Sequence, residues 1–99
     1  MKNNFLIEVS FSMQDHEDFI VREAEQRMAI NRLMDKNIVM AYALSSDNKH
    51  GWIVLSAENK SSAYRMLQKL PLYDFMQTRV FELGLLESPM FVMPQLLMN

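Results

Sequence analysis

Every second side chain from Phe5 to Phe11 is large and apolar: Phe5, Ile7, Val9 and Phe11 alternate with Leu6, Glu8 and Ser10. A period of two is that of a β-strand, and so regular an apolar set means that one face of it is firmly buried. The chain has 99 residues, enough for one domain with a modest core and too few for a second. What covers this strand must come from the same few elements or from another copy of them.

Residues 17 to 36 contain neither glycine nor proline and follow a polar stretch, Gln14 to Asp18, in which Asp15 is a suitable N-cap. They predict a first helix. At 100° per residue Phe19, Ile30, Leu33 and Met34 gather on one side of it, with Glu23, Gln26 and Arg27 projecting among them. Polar groups aimed toward a core must be paired, or must line a cavity that holds water or ligand, so this irregularity is the most informative in the chain.

Asp35-Lys36-Asn37 supplies the helix stop, Asn37 being suited to a left-handed cap. Ile38 to Ser46 predicts a second strand, Ser46 to Gly51 a hairpin turn, and Trp52 to Leu55 a third strand buried on both faces. Asn59 can cap a second helix, whose stripe of Ala63, Met66, Leu67 and Leu70 is stopped by Pro71. Phe75 to Leu83 predicts a fourth strand. The order β-α-β-β-α-β is the split βαβ arrangement of a ferredoxin-like α+β domain, with two helices on one face of a four-stranded antiparallel sheet.

Helices on one face leave the other open, yet Leu6, Met40, Tyr42 and Ile53 or Val54 put apolar side chains on both. The segment Ser88 to Met98 is also apolar and has no covering element of its own. Burial against another subunit accounts for both observations. The expectation is a homodimer or larger homo-oligomer, with residues 86 to 99 packed on the partner.

Ten basic and twelve acidic residues give a net charge of -2, with both signs scattered, so a nucleic acid is not an expected partner. No apolar run approaches the roughly 20 residues of a membrane span, and the N-terminus leads into a strand instead of an apolar signal core. The expected location is therefore cytoplasmic, with no membrane partner. Cysteine is absent, which removes disulfides, thiolate metal sites and cysteine nucleophiles together. His16 and His50 lie in different segments without a metal-ligand spacing, and neither a metal nor a cofactor is expected.

The segment Leu70-Pro71-Leu72-Tyr73-Asp74-Phe75-Met76, with Val80 and Leu83 after it, resembles the C-terminal segment of muconolactone isomerases, Leu-Pro-Leu-aromatic-x-aromatic-Met-x-x-x-Val-x-x-Leu. The resemblance extends without an obvious gap from about Arg22 to Leu83. It implies the dimeric α+β barrel superfamily, in which two sheets pack face to face, and a lactone isomerase that works without cofactor or metal. That chemistry is a proton shift beside a lactone carbonyl, needing a base for the carbon acid and hydrogen-bond donors for the dienolate. The family's helix-one glutamate falls on Gln26, and its hairpin tyrosine and asparagine fall near Lys49 and Gly51. The base position is thus changed, and so are the donors.

Candidate bases are Glu23 and Glu25, and Arg27 can hold the carboxylate of a small organic acid or lactone. Glu23 and Arg27 also stand at i, i+4, where an ordinary surface ion pair forms. Lys49 and His50 can close the pocket from the hairpin, or be solvated turn residues. Tyr42 and Trp52 can stack on an unsaturated ligand, or on each other across adjacent strands. Gln26 stands beside them, and Tyr73 and Phe75 brace the entry to the fourth strand in a segment that borders the family's pocket. Met28, Met34, Met66 and Met76 fall on expected core positions as gap-fillers. Two readings follow: a lactone isomerase, or a homo-oligomeric small-ligand-binding protein that keeps the scaffold without the reaction.

Overall fold

A computed structural model describes residues 2–12 and 16–87. The chain forms β1 (Asn3–Phe11), α1 (Glu17–Asp35), β2 (Val39–Leu44), β3 (His50–Ala57), α2 (Lys60–Gln68), a 3-10 turn over Tyr73–Phe75, and β4 (Met76–Leu83). The four strands make one antiparallel sheet in the order β2-β3-β1-β4. This is the ferredoxin-like α+β architecture, with β1 and β3 at the centre because the first crossover passes over β3 and the second over β1.

The alternation in β1 settles which face is covered. Phe5, Ile7, Val9 and Phe11 are buried, and the register sets Phe5 opposite Leu55, Ile7 opposite Ile53 and Val80. Over these lie Phe19 and Ile30 from α1 and Ala63 and Leu67 from α2. Leu70, Leu72 and Phe75 close the core from the segment between α2 and β4. Helix α2 starts where expected, with Asn59 Oδ1 accepting from the N–H of Ser62 at 2.8 Å. Asn37 adopts φ of 60°, the left-handed conformation that ends α1.

Several sequence expectations need correction. The observed cap of α1 is His16, whose Nδ1 accepts from the N–H of Asp18, while Asp15 lies outside the described residues. Strand β3 is longer than Trp52 to Leu55 and is not buried on both faces: Ile53 and Leu55 point to the helices, and Trp52 and Val54 to the open face. Alternation prevails because the chain has helices for one side of the sheet only. Met28 is exposed, unlike Met34, Met66 and Met76, which pack against the core. Entry to β4 passes through the 3-10 turn, so the strand begins at Met76 and not at Phe75. The apolar segment from Ser88 to Met98, proposed to pack on a partner, lies outside the described residues.

Candidate functional site

Helix α1 crosses the sheet beside β2, and its irregular face looks into the gap between them. Gln26 is the one polar side chain among the buried residues described, with no exposed surface. Its Oε1 accepts a hydrogen bond from the backbone N–H of Leu72 at 3.1 Å. Its Nε2 is buried and reaches no acceptor at full hydrogen-bond geometry. The amide is still near enough to Tyr42 to lower the phenol's pKa as a side-chain hydrogen bond does, although burial outweighs this and holds the phenol above its ordinary value. Arg27 lowers that pKa and Glu23 raises it, so all four groups share one electrostatic neighbourhood.

Glu23, Arg27 and Tyr42, with Phe11, Phe19, Leu44, Asn48 and Leu72, line a small cavity of about 10 Å3 at this place. That is room for about one water molecule. Glu23 Oε1 and Arg27 Nη2 stand 3.7 Å apart, the expected i, i+4 pair. Next to this cavity, sharing Arg27, Tyr42 and Leu44 with it, is an open groove of about 310 Å3 that also includes Asn31 and Met34.

The structure therefore brings Glu23, Gln26, Arg27 and Tyr42 together and disperses the rest of the expected site. Glu25 is exposed and lines neither cavity. Lys49 is exposed, and its backbone N–H is held by Asp47 in the turn. His50 and Trp52 lie on the other side of the sheet, in an open-face pocket of about 460 Å3 with Glu8, Ser10, Gln77 and Arg79. Tyr42 pairs with Ile53 and Ala43 with Trp52, so Tyr42 and Trp52 face opposite ways and cannot stack. Phe75 is taken up by the core: its ring meets Phe19 edge-on at 5.4 Å, and Arg22 lies over it at 5.9 Å. Tyr73 is half-buried against the core.

Sequence reasoning missed Asn48, Asn31 and Leu72. Asn48 sits at φ of 60° in the hairpin turn, and a turn asparagine in that conformation was a legible signal beside Lys49. Leu72 belongs to the Leu-Pro-Leu-Tyr segment, which thus does border the cavity, through its second leucine and not its aromatics. Asn31 lies one turn beyond Arg27 on α1, where only the position of β2 reveals its neighbours. Among the described residues no His, Asp and Glu cluster of metal-binding size occurs, and no helix is long and apolar enough to cross a membrane.

No family profile and no curated protein matches the sequence. Among solved structures the fold is similar to that of muconolactone isomerase, with a TM-score of 0.67 over 86% of this chain and 96% of that one, at 15% sequence identity. The chain has a muconolactone isomerase-like fold.

Proposed function

We propose that the groove between α1 and β2 takes a small unsaturated lactone or related carbon acid, and that the chain shifts a proton on it without a cofactor. Glu23 is the base that removes the proton beside the carbonyl and returns it at the far end of the conjugated system. Tyr42 and the Nε2 of Gln26 donate to the oxygen on which negative charge develops. The observation that carries this reading is the buried Nε2 of Gln26, which has no acceptor among the described residues, beside a phenol whose pKa burial raises. A native interior seldom leaves such a donor without an acceptor, and the carbonyl oxygen of a ligand is a suitable one. Copies of the chain associate through the open sheet face, where Trp52 and Phe81 are 39% exposed.

The test is incubation with muconolactone in deuterium oxide, followed by NMR of the carbon-bound protons. Deuterium incorporation or movement of the double bond, lost in Glu23→Gln, supports the reading. Unlabelled, unaltered lactone after long incubation sinks it. A second reading, ligand binding without turnover, is favoured by one observation: Gln26 occupies the position of the family's glutamate and is engaged by the Leu72 N–H. Binding of the lactone with no exchange in any buffer is its expected outcome.

A further inference from the structure

Arg27 stands between two spaces, and its partners on the two sides are unequal. On the cavity side it has Glu23, at 3.7 Å. On the groove side it meets Asn31, Met34, Tyr42 and Leu44, with no carboxylate among them. Among the described residues Arg27 has no other ion pair, and the side-chain amide of Asn31 makes no hydrogen bond. The Arg27 side chain is 64% exposed, so little packing holds it to Glu23, and an i, i+4 pair of this kind contributes only a few tenths of a kcal/mol. The groove offers about 310 Å3, within the range of small-molecule sites, whereas the cavity has room for about one water.

We infer that the groove is an anion subsite in which a ligand's carboxylate displaces Glu23 as the partner of Arg27. The carboxylate accepts from the Arg27 guanidinium and the Asn31 amide, while the ligand's apolar part lies on Met34 and Leu44 and its reactive end points toward Tyr42. A planar guanidinium matches a carboxylate in a two-point contact that Glu23, at 3.7 Å, does not make. The exchange has a consequence for the proposed reaction, on whose reading of the site it rests. An anionic ligand that takes Arg27 leaves Glu23 beside the bound ligand without its cation partner. Neutral compounds of the same shape leave the Glu23–Arg27 pair in place.

The distinguishing experiment measures binding alone. Crotonate and crotonamide, a small unsaturated acid and its uncharged counterpart, are titrated into the full chain and followed by amide NMR shifts. Crotonate is expected to bind about tenfold more tightly than crotonamide, the effect of one charge-assisted contact. The shifts should fall on Arg27, Asn31, Tyr42 and Leu44. Glu23→Gln, which removes the competing anion, should tighten crotonate several-fold and leave crotonamide unchanged. Asn31→Leu should weaken crotonate. Equal affinity for the two compounds, a flat crotonate titration, or weaker crotonate binding in Glu23→Gln each overturns the subsite. Because no turnover is read, a failure to exchange protons would sink the isomerase reading and leave this result standing.

Discussion

The Oε1 of Gln26 and the backbone N–H of Leu72 are joined by a 3.1 Å hydrogen bond between residues 46 apart in sequence. Through it the middle of α1 is fastened to the Leu-Pro-Leu-Tyr segment that leads from α2 into β4. Pro71 stops α2, and Leu72 then turns its apolar side chain into the core while its N–H needs an acceptor in a place without water. A glutamine one layer above supplies it. Gln26 thus has a structural duty that a shorter or apolar side chain could not perform.

Replacing Gln26 separates these duties. Gln26→Leu leaves the Leu72 N–H without an acceptor and should cost about 1–3 kcal/mol in urea unfolding, the usual penalty for a buried unpaired group. Gln26→Glu keeps the acceptor and removes the unpartnered Nε2, but buries a carboxyl whose folded-state pKa rises above its unfolded value. The sign follows: relative to the parent, this variant is most stable below the unfolded carboxyl pKa and loses that advantage as pH rises through the folded one. Unfolding curves at acid and neutral pH check both statements. If Gln26→Glu is equally stable at the two, the carboxyl is not buried.

How much of this was legible in the sequence depends on what each residue reports. The alternation of Phe5 to Phe11, the Gly- and Pro-free run after it and the Asn59 cap are local signals, and they gave the element order and the covered face. The phase of α1 pointed to Gln26 as an inward polar group. It could not say that the partner would be a backbone N–H 46 residues away, because that contact is made by tertiary packing alone. Dispersal of His50, Trp52 and Tyr42 over two faces followed from the β2–β3 register, which a bulge between Val39 and Ala41 shifts.

Tyr42 should titrate above the ordinary range of a phenol. Burial raises its pKa above the ordinary value of about 10, more than Gln26 and Arg27 lower it. A raised folded-state value means that stability from the neutral phenol is complete below the unfolded pKa and is lost as pH rises through the folded one. The parent should therefore lose stability in strong alkali faster than Tyr42→Phe. Ultraviolet titration of the phenolate should show a late-ionising tyrosine that disappears in that variant.

The hairpin should be held by Asp47. Its carboxylate accepts from the Ser45 hydroxyl at 2.6 Å and from the Lys49 N–H at 2.9 Å, and these two bonds, in that order, bring its pKa below the ordinary value. A depressed folded-state pKa gives stability that is present above the unfolded value and lost as pH falls through the folded one. Asp47→Asn should therefore lower the Tm at neutral pH, and the gap should close in acid. Because Asn48 of the same turn borders the cavity, amide shifts at Tyr42 and Leu44 should move with the substitution.

Gly51 should resist any side chain. It faces the helices from β3, and an added Cβ would lie 3.1 Å from both Leu44 Cδ2 and Phe11 Cε2 and 3.3 Å from the Ala43 carbonyl oxygen. Two side-chain tips can give way, but the carbonyl belongs to the paired strand and cannot. Gly51→Ala should cost about 1 kcal/mol and Gly51→Asn more, within the usual 1–3 kcal/mol of overpacking. If Gly51→Asn unfolds at the parent's urea concentration, the strand pair is looser than its register implies.

The open sheet face should set the assembly state. Leu6, Val54 and Phe81 share it with Trp52, while the Glu8–Arg79 pair at 3.8 Å and the Arg79 guanidinium 5.3 Å from the Phe81 ring hold its polar end. An apolar centre beside a polar margin is the composition of an interface core and its rim. Trp52→Asp sets a charge at that centre without touching the helix-covered core, since Trp52 points away from it. Sedimentation velocity should find the parent as a dimer or larger species and Trp52→Asp as a monomer with unchanged helical circular dichroism. A parent that sediments as a monomer at every concentration would remove the reason for this face to be apolar at all.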